Sequence, residues 1–246
     1  MLWPDRPIDW RCARLHEMGF SVGLWNAWEH DVDALAKSGA TFSIMNGYKV
    51  GRLSDADGAE TLLASCREVA ETGKRLGVAR HNLHGTGLGE GGLPVHAEET
   101  TPAGWIRACD TLARVAELGE ELDVVFTLEN LNLGVDHPGV PFARAADTLA
   151  LVAAIDHPHL RLNLDLYHAQ IGEGNLIELC RAALPWIGEI QVADVPGRCE
   201  PGSGEIAYAG VARALREMGY DGPVGMEAFA SGPPEAALKA FRAAFT

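Results

Sequence analysis

Apolar and polar positions along this chain alternate between two periods. Short stretches with the two-residue period of a strand are followed by longer ones with apolar residues three or four apart, the period of a helix packed on one face. Residues 1–9 are irregular, with Pro4 and Pro7. The pattern predicts helices over 9–18, 30–38, 60–76, 101–122, 143–155, 175–186, 208–218 and 234–245. It predicts strands over 22–25, 41–45, 78–83, 124–128, 160–165, 187–192 and 224–226. Gly19, Gly39, Gly77 and Gly219 close helices, and Thr101-Pro102 is a helix start, with threonine as cap and proline in the first turn. Regular alternation of strand and helix, with no composition shift that marks a linker, argues for a parallel sheet with helical crossovers in one domain over 1–246. The expected fold is α/β, a (β/α)8 TIM barrel. Seven strands are found where a closed barrel needs eight. The missing one belongs before the first helix, where only Met1-Leu2-Trp3 precedes Pro4, so the first strand is short, atypical or absent.

Chemistry gathers at the strand ends. The stretch 160–168 alternates as Leu-Arg-Leu-Asn-Leu-Asp and then places His168 three residues beyond Asp165. The last four strands end at Glu129, Asp165, Gln191 and Glu227, at intervals of 36, 26 and 36 residues, each holding a helix and a strand. In a barrel these side chains converge on the active face. Three carboxylates and an amide oxygen repel one another at close range unless a cation compensates. An all-oxygen set selects a hard divalent ion, Mg²⁺ or Mn²⁺, over a thiolate-seeking metal. The plainer reading makes these residues separate helix caps or surface acids, with Asp165 capping the following helix and His168 filling space. His84 follows the 78–83 strand and either reaches the mouth or faces solvent. Trp25, at another strand end, either walls the pocket or, as we expect, packs in the core. Asn46 and Lys49 lie in a loop on the same side without an assigned role.

Composition narrows the partners. The chain has 246 residues, 47% of them hydrophobic, with a formal charge of −14 and a pI near 5.0. Such a surface repels phosphate backbones and anionic membranes, so no nucleic acid or membrane partner is expected. Cys12, Cys66, Cys109, Cys180 and Cys199 are scattered, with no Cys-x-x-Cys pair, which fits a reducing cytoplasm. Neither a signal peptide nor an apolar run of membrane-spanning length is visible. Gly87-Leu88-Gly89-Glu90-Gly91-Gly92 fits G-x-G-x-x-G, but Leu93-Pro94 and a polar stretch follow instead of a helix. A dinucleotide fingerprint must open a helix directly, so no nucleotide cofactor is expected, and the glycines make a loop over the mouth.

The longer segments are more specific. Leu128-Glu129-Asn130-Leu131-Asn132, Asp165-Leu166-Tyr167-His168-Ala169-Gln170, Gln191-Val192-Ala193-Asp194-Val195-Pro196-Gly197-Arg198 and Glu200-Pro201-Gly202-Ser203-Gly204-Glu205-Ile206 resemble the hydroxypyruvate isomerase family of xylose-isomerase-like barrels. Val224-Gly225-Met226-Glu227 looks like that family's closing metal-ligand strand. The resemblance covers roughly residues 60–230. It implies a metal site of Glu129, Asp165, Gln191 and Glu227, an acid/base pair of Glu129 and Glu227, and substrate binding by His168 and Arg198. The implied reaction converts hydroxypyruvate to 2-hydroxy-3-oxopropanoate by proton transfer through an enediolate. The chemistry is sound on its own terms, since a divalent ion polarises a 2-hydroxy-carbonyl group while a carboxylate moves the carbon-bound proton. His168 can donate to a substrate oxygen, and Arg198 suits a carboxylate by bidentate geometry. The alternatives are a histidine that packs in the core or braces the ligands from behind, for His168, and an ion pair of Arg198 with Glu200 or Asp194.

The N-terminal part departs from the family. Val22-Gly23-Leu24-Trp25 stands where relatives commonly carry a glutamate, and the opening strand is not evident. A lost strand exposes barrel edges that another subunit, as in a homo-oligomer, or the N-terminal segment can cover. Three competing functions stand beside the small oxo-acid isomerase. A ketose 3-epimerase or other sugar isomerase often has histidine where Gln191 stands. A zinc-dependent DNA-repair endonuclease needs a histidine-rich site and a surface that accepts DNA. A non-catalytic sugar- or protein-binding barrel is consistent with the unusual N-terminus.

Overall fold

The structure, a computed structural model, describes residues 1–97 and 99–246; Glu98, inside the predicted 84–101 loop, lies outside the described residues. Seven strands pair side by side in chain order, each parallel to the next: β1 (Val22–Leu24), β2 (Phe42–Asn46), β3 (Arg80–Leu83), β4 (Val125–Glu129), β5 (Leu160–Asp165), β6 (Ile187–Val192) and β7 (Val224–Met226). Around them run α1 (Ile8–Glu17), α2 (Val32–Lys37), α3 (Ala56–Leu76), α4 (Pro102–Leu122), α5 (Ala145–Ile155), α6 (Leu166–Gly172), α7 (Leu176–Ala183), α8 (Tyr208–Glu217) and α9 (Pro234–Phe245). This is a nearly closed TIM barrel.

Local chemistry accounts for most boundaries. The Thr101 side chain accepts from the Gly104 N–H at 3.0 Å, with Pro102 as the first helical residue of α4. Asp55 accepts from Gly58 at 2.8 Å and so starts α3 at Ala56, four residues ahead of the expected Glu60. α6 was not expected: it follows β5 with no intervening loop, and its cap is Asp165 itself, which accepts from the His168 N–H at 2.9 Å. Among the described residues no helix is long and apolar enough to cross a membrane.

Residues 1–7 add no strand to the sheet. Leu2 and Trp3 are buried instead, against Leu238 of α9 and beside Met226 of β7. Side-chain packing, not backbone pairing, covers this part of the barrel, so of the two covers expected for the edge the N-terminal segment supplies one.

The two-residue period sorts the barrel into an apolar outside and a polar inside. Leu160, Leu162 and Leu164 of β5 join the clusters under the helices, with Val115 of α4 and Leu176 of α7 among their neighbours. The alternate positions point inward. Asn82 Oδ1 accepts from Thr127 Oγ1 and from Asn163 Nδ2, both at 3.1 Å, joining β3, β4 and β5 across the interior. Lower down, Arg80 Nε lies 3.1 Å from Glu189 Oε2. Burial pushes the Glu189 carboxyl up to about 7 although Arg80 pulls against it.

His81 faces outward from β3 and is fully buried, and neither ring nitrogen has a partner. Gly73 of α3 leaves room for it, since a Cβ there would lie 2.3 Å from His81 Nε2. Burial lowers its pKa to about 4. The unfolded chain takes up this proton near 6.5, the folded one near 4. The contribution to stability is therefore complete above about pH 6.5 and lost as pH falls toward 4, on the order of 3 kcal/mol in all. Urea denaturation of the protein and of His81→Leu at pH 7 and pH 4.5 measures it. The loss between the two pH values is expected to be smaller in the variant, and equal losses would show that His81 does not carry the effect.

Candidate active site

Strand ends place the central groups. Glu129 closes β4, Asp165 closes β5, Gln191 sits one residue from the end of β6, and Glu227 follows β7 with its N–H bonded to Val192 O at 3.1 Å. The pairing register sets Asp165 beside Gln191 and Gln191 beside Gly225. Glu129, Asp165 and Gln191 are buried, and the Glu227 side chain is 18% exposed. One terminal atom of the Gln191 amide lies 3.1 Å from Glu227 Oε2 and 3.3 Å from Glu129 Oε1. One ligand atom from each of Glu129, Asp165 and His168 falls within 4.8 Å of the others. The four residues expected to converge are thus brought together. Asp165 does two jobs at once: it caps α6 and presents its carboxylate to the centre.

Electrostatics make this a strained set of acids. Burial, reinforced by the charge of Glu227, pushes the Glu129 carboxyl up to about 8 although Asn82 donates to it. Asp165 is raised well above the usual carboxylate range by burial and by Glu129. Among the described residues Arg198 supplies the guanidinium at the centre, with Nη2 3.3 Å from Glu227 Oε1. Burial works against its charge, but Glu227, Asp165 and Glu129 more than offset that and hold its pKa above the ordinary value. With all three carboxyls ionised, one guanidinium would leave two negative charges uncompensated, which is why Glu129 and Asp165 hold their protons so tightly without a cation. That deficit, and four oxygen donors around one point, fit a divalent cation of the hard class. The Gln191 amide is compatible with either condition. Its N–H donates to Glu227 Oε2 and Glu129 Oε1 as they stand, and turned over the amide would offer its oxygen to a cation.

The flanking groups are built with care. Glu129 Oε2 accepts from Asn82 Nδ2 and lies 3.0 Å from His84 Nε2. Tyr48 holds the other side of that imidazole, its hydroxyl 3.0 Å from His84 Nδ1 and donating to Thr86 O at 2.6 Å. Burial drops His84 to about 4, so it is neutral at pH 7. His84 therefore reaches the mouth and does not face solvent. His168 is fully buried, and burial, with Arg198 close by, holds its pKa well below the usual value. The Arg198 guanidinium also lies 5.1 Å above the Tyr167 ring, and its Nε–H has no partner.

One alternative falls and one expectation changes. Arg198 does not pair with Glu200 or Asp194. Glu200 is taken by Ser231 at 2.5 Å, and buried Asp194 accepts from the N–H groups of Val195, Gly202 and Ile206, each at 2.9 Å. Asp194 thus folds the loop that carries Arg198, and the guanidinium turns inward. Trp25 is not core: it is 57% exposed, and its Nε1 donates to Glu227 Oε1 at 2.8 Å. Position alone could not show this, because the acceptor that draws the indole N–H stands 202 positions away in the sequence. Asn82 and Asn132 were also missed, although Asn82 shares with His84 the inward parity of β3.

Among the described residues the glycine-rich loop opens no α-helix and holds only a short 3-10 turn at Glu90–Gly92. Gly89 N–H donates to Leu93 O at 2.7 Å and Val95 N–H to Gly87 O at 2.8 Å, which closes a tight hairpin. His137 Nδ1 lies 2.7 Å from Gly92 O and ties the hairpin beside the site.

A family model described as xylose isomerase-like TIM barrel matches residues 26–244. The chain belongs to this family. Among its relatives is the hydroxypyruvate isomerase of Escherichia coli, 32% identical over 145 residues, which are 56% of this chain and 56% of that one. Another is a 2-oxo-tetronate isomerase of Pectobacterium atrosepticum, 39% identical over 90 residues, which are 37% of this chain and 34% of that one. The chain spans about half the length, or less, of the curated relatives it matches. The family's architecture extends over the whole chain: a solved structure described as an AP endonuclease, family 2, from Brucella melitensis superposes with a TM-score of 0.85 at 23% identity, covering 98% of this chain and 95% of that one. At that identity the likeness speaks for the fold alone.

Proposed function

We propose that the protein is a metal-dependent isomerase of a small 2-hydroxy-carbonyl acid, with hydroxypyruvate to 2-hydroxy-3-oxopropanoate as the leading reaction. The observation that carries this reading is the convergence of Glu129, Asp165, Gln191 and Glu227 under Arg198 and His168. The first four would hold Mg²⁺ or Mn²⁺. When bound there, the ion supplies Lewis acidity toward the adjacent oxygens of the substrate, worth roughly several kcal/mol. Glu129 and Glu227 flank the place where those oxygens would sit; one of them would take the proton from C3 and return it to C2, while the hydroxyl proton passes from the C3 oxygen to the C2 oxygen. Arg198 offers its unpartnered Nε–H to the substrate carboxylate. His84 and His168, both neutral, bind substrate oxygens without adding charge. An acid substrate is favoured over a neutral ketose by this guanidinium, by an amide at position 191 where epimerases often have histidine, and by relatives whose names specify 2-oxo acids.

The test is carbon-bound deuterium uptake from D₂O, followed by NMR, with hydroxypyruvate and a panel of ketoses and added Mg²⁺ or Mn²⁺. Uptake into hydroxypyruvate alone supports the acid reading. Uptake only into ketoses moves the protein to the epimerases, and none with any substrate removes the isomerase reading. Divalent binding also has a stability signature. An ion at 100 times its Kd is expected to stabilise the fold by about 2.7 kcal/mol, reversed by chelator. Glu129→Gln should abolish that increment, and an unchanged increment would place the ion elsewhere.

A further inference from the structure

Both ring nitrogens of His168 meet defined groups, and its tautomer decides what it can do. Nε2 points to the centre, 3.9 Å from Glu129 Oε1 and 3.9 Å from Asp165 Oδ2. With a lone pair there, His168 is a potential ligand alongside Glu129 and Asp165. With a proton there, it is a hydrogen-bond donor and no ligand at all.

The other nitrogen, Nδ1, faces Asn132 Nδ2 at 2.8 Å. Asn132 is fully buried, and its orientation is determined from both ends. Its Oδ1 accepts from the N–H groups of Val135 at 2.9 Å and Asp136 at 3.0 Å, which can only donate. Its Nδ2 donates to Asp136 Oδ2 at 2.6 Å, a carboxylate oxygen that also accepts from the Tyr167 hydroxyl at 2.9 Å. Turning the amide over would set its nitrogen against two N–H donors and its oxygen against a carboxylate. The second N–H of Asn132 therefore has one acceptor to find, and that is His168 Nδ1.

We infer that Asn132 is a positioning residue that locks His168 in the neutral Nε2–H tautomer, making it a donor to a substrate oxygen and excluding it from the metal. The backbone of His168 is held as well, its N–H bonded to Asp165 Oδ1 at 2.9 Å, so the ring does not turn away. Two contacts oppose this assignment. Asp136 Oδ2 lies 4.0 Å from Nδ1, but that is beyond hydrogen-bond reach and the oxygen already accepts from Asn132 and Tyr167. Arg198 Nη2 stands 3.4 Å from Nε2 and would donate to a lone pair there. A neutral ring accepts at one nitrogen only, and the 2.8 Å contact from a fully committed amide outweighs a 3.4 Å contact from a guanidinium already 3.3 Å from Glu227. The consequence is that the cation is left with oxygen donors, and Gln191 completes the set. The inference deepens the proposed function and rests on it for its purpose, though not for its measurement.

The experiment is long-range ¹H–¹⁵N NMR of histidine-labelled full-length protein near pH 8, without metal or substrate, with His168 assigned by its loss in His168→Gln. The expected result is a pyridine-type Nδ1 and a pyrrole-type Nε2. The double variant Asn132→Asp/Asp136→Asn exchanges amide and carboxylate at constant charge and keeps an oxygen for the two backbone donors. It presents an oxygen to Nδ1, so the Nδ1 resonance is expected to move to the pyrrole type. The unchanged resonances of the remaining histidines report that the variant is folded. Should it fail to fold, Asn132→Ser, which removes the amide, is expected to populate both tautomers. A pyrrole-type Nδ1 in the wild-type protein overturns the inference, and so does a folded variant in which Nδ1 does not move. Calorimetry with Mn²⁺ on the same wild-type sample separates the two readings. No binding together with Nε2–H sinks the isomerase proposal and upholds the lock, whereas binding together with Nδ1–H does the reverse.

Discussion

Glu227→Gln is expected to slow exchange of the substrate's carbon-bound proton by about 10²–10⁴-fold at saturating Mg²⁺ or Mn²⁺, the usual contribution of a positioned proton-transfer group. The geometry divides the carboxylate between two tasks. Oε1 accepts from Trp25 Nε1 at 2.8 Å and lies 3.3 Å from Arg198 Nη2. Oε2 is the oxygen that faces the Gln191 amide, which also reaches Glu129 Oε1. Glutamine keeps the shape but has no oxygen to spare. If its Oε1 serves Trp25 and Arg198, its N–H groups point into the centre, where they neither take a proton from carbon nor meet a cation. Trp25→Phe leaves the carboxylate and removes one brace, so a smaller loss is expected from it. Single-turnover exchange measurements at several metal concentrations distinguish lost chemistry from lost binding. Retention of wild-type exchange within tenfold in Glu227→Gln, with metal bound, would falsify its role as the base.

Gly85→Ala is expected to destabilise the fold by about 1–3 kcal/mol or more, the range for forcing volume into a packed site. A Cβ at this position would lie 1.8 Å from the carbonyl oxygen of Pro141 and 2.9 Å from its carbon. The obstacle is backbone, so no side chain can swing aside. Either the loop before α5 moves or the turn after His84 does. At about 2–4 °C per kcal/mol for a chain of this length, the melting temperature should fall by several degrees or more. Because Gly85 adjoins His84, whose Nε2 contacts Glu129, relief of the clash is also expected to disturb the site. Calorimetric melting of the two proteins checks the first effect. A melting temperature within a degree of wild type would mean that the two loops do not press on each other as described.

Much of the barrel was legible because its signals are local. The outward leucines of β5 fix its two-residue period, and Thr101-Pro102 starts α4 by chemistry contained in a few residues. β5, β6, β7 and α9 have the predicted bounds. α6 was missed for an equally local reason: it begins with no turn residues after β5, so no break announces it, and its cap is a residue already assigned to another task. The polar interior was half legible. Alternation put Asn163 and Asp165 on one face, but the bonds from Asn163 and Thr127 to Asn82 join strands dozens of residues apart.

What the sequence by itself determined is the inventory and its order: strands ending in Glu129, Asp165, Gln191 and Glu227, an acidic surface, and motifs that name the family. These depend on short-range periodicity and on which side chains exist at all. What only the tertiary structure decided is who pairs with whom. Arg198 turned to Glu227 because Asp194 and Glu200 were already satisfied by backbone and serine donors. Trp25 left the core because a carboxylate 202 positions away draws its N–H. Asn132 faces His168 because two backbone N–H groups and Asp136 leave its amide only one orientation. Hydrogen-bond partners are allotted by geometry across the barrel, and the energy of each depends on what its competitors have already taken, which linear order does not contain.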